Sequence, residues 1–248
     1  LVRLLPHSSS DNHAKYRTPE ELEADKREDP ILQLEKRLID AGLLTKKASD
    51  QIRKEVHVSV DDAAKWANEQ PDPEASTAME HVLYEGDLGL DFEASEPSGE
   101  PIVVVDAINH ALHEEMARDE RVIVYGEDVA GGKGGVFTAT RELTAKFGPD
   151  RCFNSPLAEA SIIGTAVGFS SAGFKPVVEI QFGDYIWPAL QHLRNQVSTY
   201  RYRSNGDWGC PMVIRVPVGG YIHGGLCHSQ NIEAFFAHMP GFQIAMPS

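Results

Sequence analysis

The feature of this sequence that most constrains its fold is an alternation, from about residue 101 onward, of short apolar runs and helical patterns. The apolar runs, each typical of a buried strand, lie at 122–125, 177–180, 212–216 and 242–245. The helical patterns lie around 108–116, over 159–171 and over 186–202. Strands that alternate with helices predict an α/β fold whose mostly parallel sheet has helices on both faces. Ligands in such sheets bind at the carboxyl ends of the strands, so we expect any site in the loops that follow them.

A helical segment at residues 1–70 precedes the sheet. Thr18, Pro19 and Glu21 form a capping box with a proline at the first helical position, which predicts that a helix begins here. Asp29 and the proline after it repeat the signal, and Gly42 is suited to end that second helix. A third helix is predicted by an apolar stripe at helical spacing, made of Ile52, Val56, Val60, Ala63 and Ala67.

Residues 71–100 are acidic and contain few apolar anchors, so they predict a linker between the helical segment and a domain at 101–248. The sequence begins at Leu1 and not at methionine, and it stops at Ser248 directly after an apolar run. We therefore interpret it as a piece of a longer protein, in which the domain at 101–248 is incomplete at or just after its C-terminal end.

The composition argues against several classes of function. The formal net charge of -14 gives the chain no counterion-release advantage on nucleic acids, and anionic membrane surfaces would repel it. No apolar run approaches the roughly 20 residues that cross a bilayer. The three cysteines lie far apart without a CxxC pair, which argues against a disulfide framework or structural zinc. We expect a reducing compartment, the cytoplasm of a bacterium, with an organellar matrix as the alternative.

Loops after the predicted strands carry side chains that suit chemistry. Glu159 begins a predicted helix of small residues, where the helix dipole alone would also favour a carboxylate. Tyr185 follows a predicted strand, a position where an aromatic ring most often packs. His223 and His228 lie on a glycine-rich loop, where a histidine either transfers protons near neutral pH or has a structural role. The glycine run 131–135 lacks the spacing of a phosphate-binding motif, so a flexible loop is the favoured interpretation.

Several of these segments together resemble one enzyme family. They are YGEDV at 125–129, GGVF at 134–137, NSPLAE at 154–159, EIQFGDY at 179–185, YRYRS at 200–204, HSQ at 228–230 and EAFFAH at 233–238. In order and spacing they resemble the beta subunit of the first, decarboxylating component of 2-oxo acid dehydrogenases, over essentially all of 101–248. The resemblance implies a transketolase-like pyrimidine-binding domain, a fold that binds thiamine diphosphate. EIQFGDY and YRYRS look more like the branched-chain, 2-oxoisovalerate type than like the classical pyruvate type.

Residues 1–70 resemble a different part of the same enzyme, the C-terminal end of its alpha subunit. The resemblance is carried by Arg3, PHSSSD at 6–11, YR at 16–17 and DPI at 29–31. An alpha-like end followed by a beta-like domain implies a fused alpha–beta chain that is joined by the acidic linker. The family's diphosphate motif, Gly-Asp-Gly followed by Asn-Asn, is not in this sequence. We therefore expect the protein ligands of Mg²⁺ to lie upstream of it.

The resemblance also implies roles for individual residues. Glu159 matches the carboxylate that bonds N1′ of the cofactor's pyrimidine ring and favours the imino tautomer that takes the C2 proton, for which a raised pKa would help. Tyr185 matches a residue that contacts the pyrimidine, and Arg3 another cofactor-binding position. His228 matches a histidine near the substrate carboxylate or the acyl-transfer step. His7 matches one near the diphosphate and the entry of the lipoyl group, with a catalytic and a cofactor-binding role.

Two further sites are implied by the family alone. Ser8 and Ser10 lie in a loop that regulatory kinases phosphorylate in some relatives. Beta subunits of the family bind K⁺ through backbone oxygens, and the matching stretch here contains Cys210, Met212 and Val213. The resemblance thus predicts phosphorylation in the first segment and a K⁺ site in the second.

The function that the resemblance implies is the oxidative decarboxylation of a 2-oxo acid with thiamine diphosphate and Mg²⁺, most specifically of the branched-chain 3-methyl-2-oxobutanoate. The acyl group would pass to the lipoyl group of a dihydrolipoyl acyltransferase component in a multienzyme complex. Two fused chains would form a homodimer equivalent to two alpha and two beta subunits. Two alternatives stay open: a pyruvate or acetoin dehydrogenase component, and a non-catalytic module that only assembles with such a complex.

Overall fold

The computed structural model describes residues 2–6, 11–86 and 99–247. The chain divides into two compact units, Leu1–Glu74 and Ala75–Ser248. The predicted loop residues His7, Ser8 and Ser10 lie outside the described residues. None of the helices in the described ranges is both long and apolar enough to cross a membrane.

The first unit is helical, as predicted, and each of its helices begins after a capping side chain. The helices are α1 (Pro19–Arg27), α2 (Pro30–Asp40) and α3 (Lys46–Glu69), preceded by a 3-10 turn at His13–Lys15. The capping box is confirmed: Thr18 Oγ1 accepts from the Glu21 amide at 3.2 Å, and the Thr18 amide donates to Glu21 Oε2 at 2.8 Å. Asp29 and Thr45 cap the next two helices with their side chains.

Glu35 of α2 links this helix to α3. Its carboxylate accepts hydrogen bonds from Arg53 Nη2 at 2.6 Å, Ser49 Oγ at 2.8 Å and Lys46 Nζ at 3.1 Å. These donors, Arg53 first, lower the pKa of Glu35 to about 2. The two helices are therefore joined in part by charge at the surface of the unit.

The apolar stripe predicted for the third helix lies on α3, but its large side chains stay exposed within the first unit. Ile52 is 51%, Val56 55% and Val60 60% exposed, whereas Ser49 is the buried residue of this helix. Periodicity therefore predicted the helix correctly. Burial of the stripe is not seen among the described residues.

The second unit contains a sheet of four parallel strands in the order β2-β1-β3-β4. The strands are β1 (Val122–Gly126), β2 (Cys152–Asn154), β3 (Lys175–Glu179) and β4 (Val213–Arg215). β1, β3 and β4 confirm predicted strands, whereas β2 is too short to produce a recognisable apolar run. The strand predicted at 242–245 is wrong, because these residues form no strand and Phe242 instead packs against a buried cluster.

Helices cover both faces of the sheet. They include α4 (Val104–Arg118), α5 (Leu143–Phe147) and α6 (Glu159–Ser171). Ile123 and Tyr125 of β1 belong to a buried cluster shared with α6. Val122 and Val124, at the alternate positions of the strand, belong to a second cluster shared with α4 and α5. The α/β fold with a mostly parallel sheet, preceded by a helical segment, is confirmed.

The predicted helix at 186–202 is interrupted. It is divided into α7 (Leu190–His192), a π-helical turn (Leu193–Val197) and α8 (Tyr200–Arg203). Ile186, Ala189 and Leu193 are nevertheless buried together, and they account for the apolar periodicity of this stretch. A last short helix, α9 (Glu233–Phe236), follows near the end of the described residues.

Candidate active site

The order of the strands creates a crevice at one edge of the sheet. The chain leaves β1 for β2 on one side and then returns to β3 on the other side, so the connections diverge between β1 and β3. Ligands of parallel α/β sheets bind at such a point, beyond the carboxyl ends of the strands. Gly126 ends β1 opposite Glu179, and a Cβ on Gly126 would lie 2.5 Å from the Glu179 carbonyl oxygen. Glycine is therefore needed where the two strand ends meet.

Glu127 lies directly beyond the end of β1 and is buried. It is 4% exposed, and its Oε1 has no hydrogen-bond partner among the described residues. Burial raises the pKa of Glu127, and the negative charges of Glu159 and Asp128 raise it further, against a lowering by the Ala158 backbone amide. A carboxyl group in such surroundings tends to keep its proton.

Glu159, the residue predicted from the sequence to be catalytic, is the first residue of α6 and is half-buried. It lies close enough to Glu127 to affect the pKa of that group. The N-terminus of α6 favours a negative charge on Glu159, whereas two adjacent negative charges disfavour each other. The two carboxyl groups therefore lie near each other, and Glu127 is the one whose pKa is raised.

Tyr185 and His228, both predicted from the sequence as site residues, are brought together. Tyr185 ends a 3-10 turn after β3, and His228 follows the turn at Gly225–Cys227. Tyr185 Oη lies 2.8 Å from His228 Nε2, and the Phe182 ring meets the His228 ring edge-on with centroids 4.6 Å apart. These three rings form a half-buried aromatic group at the site. His223, the other histidine candidate, is exposed.

Two backbone amides of the glycine run at 131–135 donate hydrogen bonds within the protein. The amide of Gly131 donates to Thr144 Oγ1 at 3.1 Å, and the amide of Gly135 donates to the backbone oxygen of Asp128 at 2.9 Å. The next amide, that of Val136, donates to the Glu179 carboxylate at 2.8 Å. This loop therefore binds an anion that the protein itself supplies, and the interpretation as a phosphate site is not favoured.

Arg3, predicted to bind the cofactor, lies in the first unit. Its Nη2 donates to Tyr16 Oη at 2.8 Å, and its guanidinium lies 5.6 Å from the centroid of the Tyr16 ring. Its backbone oxygen accepts from Arg17 Nη1 at 3.0 Å. The structure thus gives Arg3 partners within its own unit, and its role at the cofactor stays a prediction.

The stretch predicted to bind K⁺ leads into β4. Cys210 is half-buried, and burial raises the pKa of its thiol. Met212 packs against a buried cluster, Val213 begins β4, and the Pro211 oxygen accepts from Ser170 Oγ at 3.5 Å. In the described part of the chain no three His, Cys, Asp or Glu side chains are grouped so as to hold a metal ion. The K⁺ site, which would use backbone oxygens, stays a prediction.

Two buried carboxylates of this crevice are not among the residues predicted from the sequence. Glu127 comes directly after a predicted strand, which was the signal that could have identified it. Glu179 interrupts the apolar run at 177–180, and Arg215 interrupts the run at 212–216. Opposite charges within two buried strands indicate an ion pair, because a lone buried charge is costly.

The chain matches two family models. Residues 100–248 match the model described as the transketolase pyrimidine binding domain, and residues 1–76 match the one described as the dehydrogenase E1 component. The first match contains the whole sheet and the carboxylates and aromatic rings of the crevice.

Relatives of known name match the same part of the chain. The 2-oxoisovalerate dehydrogenase subunit beta of Bacillus subtilis (strain 168) is 52% identical over 144 residues, which are 58% of this chain and 44% of the relative. A mitochondrial 2-oxoisovalerate dehydrogenase subunit beta 2 of Arabidopsis thaliana is 44% identical over 60% of this chain and 42% of its own length. The pyruvate dehydrogenase E1 component subunit beta of Bacillus subtilis is 43% identical over 59% of this chain and 45% of its own. The chain thus spans less than half the length of these relatives.

Among solved structures, one titled split gene transketolase, inactive beta4 tetramer, aligns over 54% of this chain and 39% of its own. The TM-score is 0.40 at 24% sequence identity, which is too low to add to the sequence matches.

Proposed function

This chain belongs to the transketolase pyrimidine-binding domain family, and we propose that it binds the aminopyrimidine half of thiamine diphosphate for the decarboxylation of a 2-oxo acid. The observation that carries the proposal is the buried Glu127, with one oxygen unpartnered among the described residues, beyond the end of β1 and near Glu159 at the start of α6. A basic ring nitrogen such as N1′ requires a carboxyl group that can hold and release a proton near neutral pH. Glu159 and Glu127 are the carboxyl groups that we propose for this role.

The residues at the crevice fit the pyrimidine ring of the cofactor. Glu127 Oε1 is buried and has no partner in the described part of the chain. Phe182, Tyr185 and His228 provide ring edges and faces beside a few polar atoms, the lining typical of small-molecule sites. Carboxyl groups and aromatic rings suit a neutral, hydrogen-bonding heterocycle better than a phosphate. We propose that the diphosphate and its Mg²⁺ are held by other parts of the full-length protein.

Glu159 would hold the proton at N1′, which favours the imino form of the neighbouring 4′-amino group. Glu127, whose pKa is raised by burial first and by the charge of Glu159 next, is the neighbouring carboxyl group that tends to keep its proton. Thiamine diphosphate, when bound, supplies the nucleophilic carbon and the electron sink for decarboxylation. The contribution of this chain is to bind the ring, to orient it and to control the proton at one nitrogen atom.

Tyr185 and His228 would act on the substrate side of the ring. The 2.8 Å contact between Tyr185 Oη and His228 Nε2 restrains the imidazole, and the edge of Phe182 restrains it further. An imidazole held in this way can bind the substrate carboxylate when protonated, or transfer a proton during acyl transfer. Tyr185 would also contact the pyrimidine through its ring.

The substrate that we propose is the branched-chain 3-methyl-2-oxobutanoate. Identity to the Bacillus subtilis 2-oxoisovalerate dehydrogenase subunit beta is 52%, against 43% to the pyruvate dehydrogenase E1 component subunit beta of the same bacterium. We propose that the acyl group passes to the lipoyl group of an acyltransferase component. The match of residues 1–76 to the dehydrogenase E1 component supports a fused alpha–beta chain, which would act as a homodimer. Relatives include bacterial and mitochondrial proteins, so the bacterial cytoplasm stays a prediction.

The proposal is tested with the full-length protein by calorimetry and by CO₂ release. We expect thiamine diphosphate to bind only when Mg²⁺ is present, and 3-methyl-2-oxobutanoate to be decarboxylated by the loaded protein. Absence of magnesium-dependent binding would contradict the proposal and favour a non-catalytic assembly module.

A pyruvate dehydrogenase component is the second candidate, because the 43% identity to that subunit is substantial. The two candidates are separated by comparing kcat/KM for pyruvate and for 3-methyl-2-oxobutanoate. Each methylene in an apolar pocket changes this ratio by about 10- to 200-fold. A ratio in favour of pyruvate would overturn the branched-chain assignment while leaving the decarboxylase proposal in place.

A further inference from the structure

Glu179, at the carboxyl end of β3, is a buried carboxylate that the proposed chemistry does not use. It is 2% exposed and pairs with Arg215 of the neighbouring strand β4, whose side chain is 16% exposed. Arg215 Nε lies 3.1 Å from Glu179 Oε2, and a second guanidinium nitrogen contacts the same oxygen. A buried ion pair adds little stability compared with apolar residues, but removing one partner leaves a costly lone charge. This pair therefore needs an explanation other than stability.

The other oxygen of Glu179 holds a loop. Glu179 Oε1 accepts from the backbone amide of Val136 at 2.8 Å, across 43 residues of sequence. Two backbone hydrogen bonds hold the loop together around this contact. The Gly135 amide donates to the backbone oxygen of Asp128 at 2.9 Å, and the Thr140 amide donates to the backbone oxygen of Gly134 at 2.8 Å. A hydrogen bond to an ionised acceptor is stronger than a neutral one. Glu179 is thus the point at which the sheet fixes the position of the loop.

The loop packs tightly against the Glu179 carboxylate at Gly135. Gly135 has φ +72°, and a Cβ on it would lie 2.8 Å from Thr140 Oγ1 and 3.0 Å from Glu179 Oε2. Only glycine combines that backbone conformation with so close an approach. The position of the loop and the position of the carboxylate are therefore linked.

The fixed loop carries an aromatic residue to the candidate active site. Phe137 directly follows Val136 and has φ +55°, so its backbone is held in a conformation that L-residues rarely adopt. Its ring meets the Phe182 ring edge-on with centroids 6.5 Å apart. Phe182 in turn contacts both Tyr185 and His228. A continuous chain of contacts therefore leads from Glu179 through the loop to the aromatic group.

We propose that Glu179, held by Arg215, is a positioning residue that fixes the 134–138 loop and its Phe137 against the pyrimidine-binding site. The inference rests on the proposed function, since it concerns the same site, and it adds a residue that acts on the cofactor only through the loop. Small displacements of a binding group cost up to about a hundredfold in rate or affinity. A loop fixed by a buried carboxylate avoids that loss.

Hydrogen exchange of the cofactor-free, full-length protein tests the loop separately from any activity. Glu179→Gln keeps the shape of the side chain but removes its charge. We expect amide exchange in the peptide covering 134–138 to accelerate about tenfold, the effect of weakening one charge-assisted hydrogen bond. The matched control is Met116→Ala, which opens a cavity in the second buried cluster near the amino ends of the strands. It should lower the melting temperature without selectively exposing the loop, and unchanged loop exchange in Glu179→Gln would overturn the proposal.

The cofactor readout is the split between KM for thiamine diphosphate and kcat. In Glu179→Gln we expect KM to rise about tenfold and kcat to change by less than about threefold, because the reacting groups are untouched. Met116→Ala is compared with Glu179→Gln at conditions where both variants lose the same melting temperature. If Met116→Ala then raised KM as much as Glu179→Gln does, Glu179 would be merely structural and the proposal would be wrong. Gly135→Ala is the second variant should Glu179→Gln not fold, since its methyl group displaces the loop from the Glu179 carboxylate while the side chains of Glu179 and Arg215 are kept. It should reproduce both the exchange and the KM effects.

A wild-type protein with normal loop protection and no cofactor binding would instead refute the proposed function, and the positioning role with it.

Discussion

Charged side chains at the two ends of the sheet differ in how deeply they are buried and in which partners they have. At the amino end, Asp119 pairs with Arg121 and Lys175, whose side chains are 60% and 49% exposed. Arg151, just before β2, donates to backbone oxygens of Met116, Asp119 and Val122. The ion pairs of Asp119 lie at or near the surface, where such pairs have little effect on stability.

At the carboxyl end, three carboxyl groups are buried or half-buried. Glu127 is buried with one oxygen unpartnered among the described residues, Glu159 lies beside it, and Glu179 is buried against Arg215. Burial and mutual repulsion raise the pKa of Glu127, whereas ion pairs lower the pKa of Asp119. The amino end of the sheet thus carries ion pairs near the surface, whereas the carboxyl end carries a buried carboxyl group that tends to keep its proton.

The largest effect is expected from Glu159→Gln. An amide can hold a ring nitrogen but cannot pass a proton to it, so we expect decarboxylation to fall at least about a hundredfold. Calorimetry should show thiamine diphosphate still bound. The matched substitution at the amino end, Asp119→Asn, should leave turnover within about twofold, as is usual for surface positions. Equal losses in both variants would remove the functional distinction between the two ends.

Glu127→Gln should lower kcat/KM by about tenfold, less than the loss at Glu159, because Glu127 acts through its neighbour. The pH profile is the more specific readout. The inflection that belongs to the raised pKa of Glu127 should be lost from the profile of Glu127→Gln. A profile that is lower in height but unmoved along the pH axis would show that Glu127 is only structural.

Tyr185→Phe should reduce kcat/KM by about three- to tenfold, the cost of one neutral hydrogen bond. The hydroxyl that restrains His228 is lost while the ring that faces the site is kept. Tyr202→Phe, on an exposed side chain of α8, is the control and should have no effect. The assignment of Tyr185 to the site would be wrong if the two variants behaved alike.

The smallest effects concern stability against pH, and they have opposite signs at the two ends. The folded pKa of Glu127 is raised, so its contribution is present below its ordinary pKa and is lost as pH rises through the folded value. The folded pKa of Asp119 is lowered by Arg121 first, so its contribution is present above its ordinary pKa and is lost as pH falls.

Melting temperatures of the two variants measured across pH should therefore diverge. Glu127→Gln should flatten the decline of the melting temperature as pH rises above the ordinary pKa of a glutamate, and Asp119→Asn should flatten the decline as pH falls below the ordinary pKa of an aspartate. A melting curve of Glu127→Gln that declined with rising pH as steeply as the wild type would contradict the raised pKa.

Local signals in the sequence were enough for much of the fold. Thr18, Asp29 and the apolar periodicities predict the helices of the first unit, and the alternation of strands and helices predicts the sheet and α6. β2 was missed because three residues carry no periodicity, and it exists because β1 offers it a parallel partner. The strand expected at 242–245 has no such partner. Short apolar runs alone do not decide between a strand and a packed loop.

The site was predictable only in part. Their positions at loops after strands made Glu159, Tyr185 and His228 candidates, and the family resemblance assigned them roles that stay predictions. The contact between Tyr185 and His228 depends on how two distant loops fold together, and the surroundings of Glu127 include Ala158 and Glu159, which lie more than thirty residues further along the chain. Neither is encoded in local spacing. The link from Glu179 to Val136 likewise spans strands and loop, so it emerges only from the assembled sheet.

The most direct test of the account is the exchange of the C2 hydrogen of bound thiamine diphosphate with deuterium, followed by NMR in the loaded full-length protein. If Glu159 governs the proton at N1′, exchange should be rapid in the wild type and at least about a hundredfold slower in Glu159→Gln. Asp119→Asn, at the other end of the sheet, should match the wild type. An exchange rate that is unchanged in Glu159→Gln would contradict the central claim.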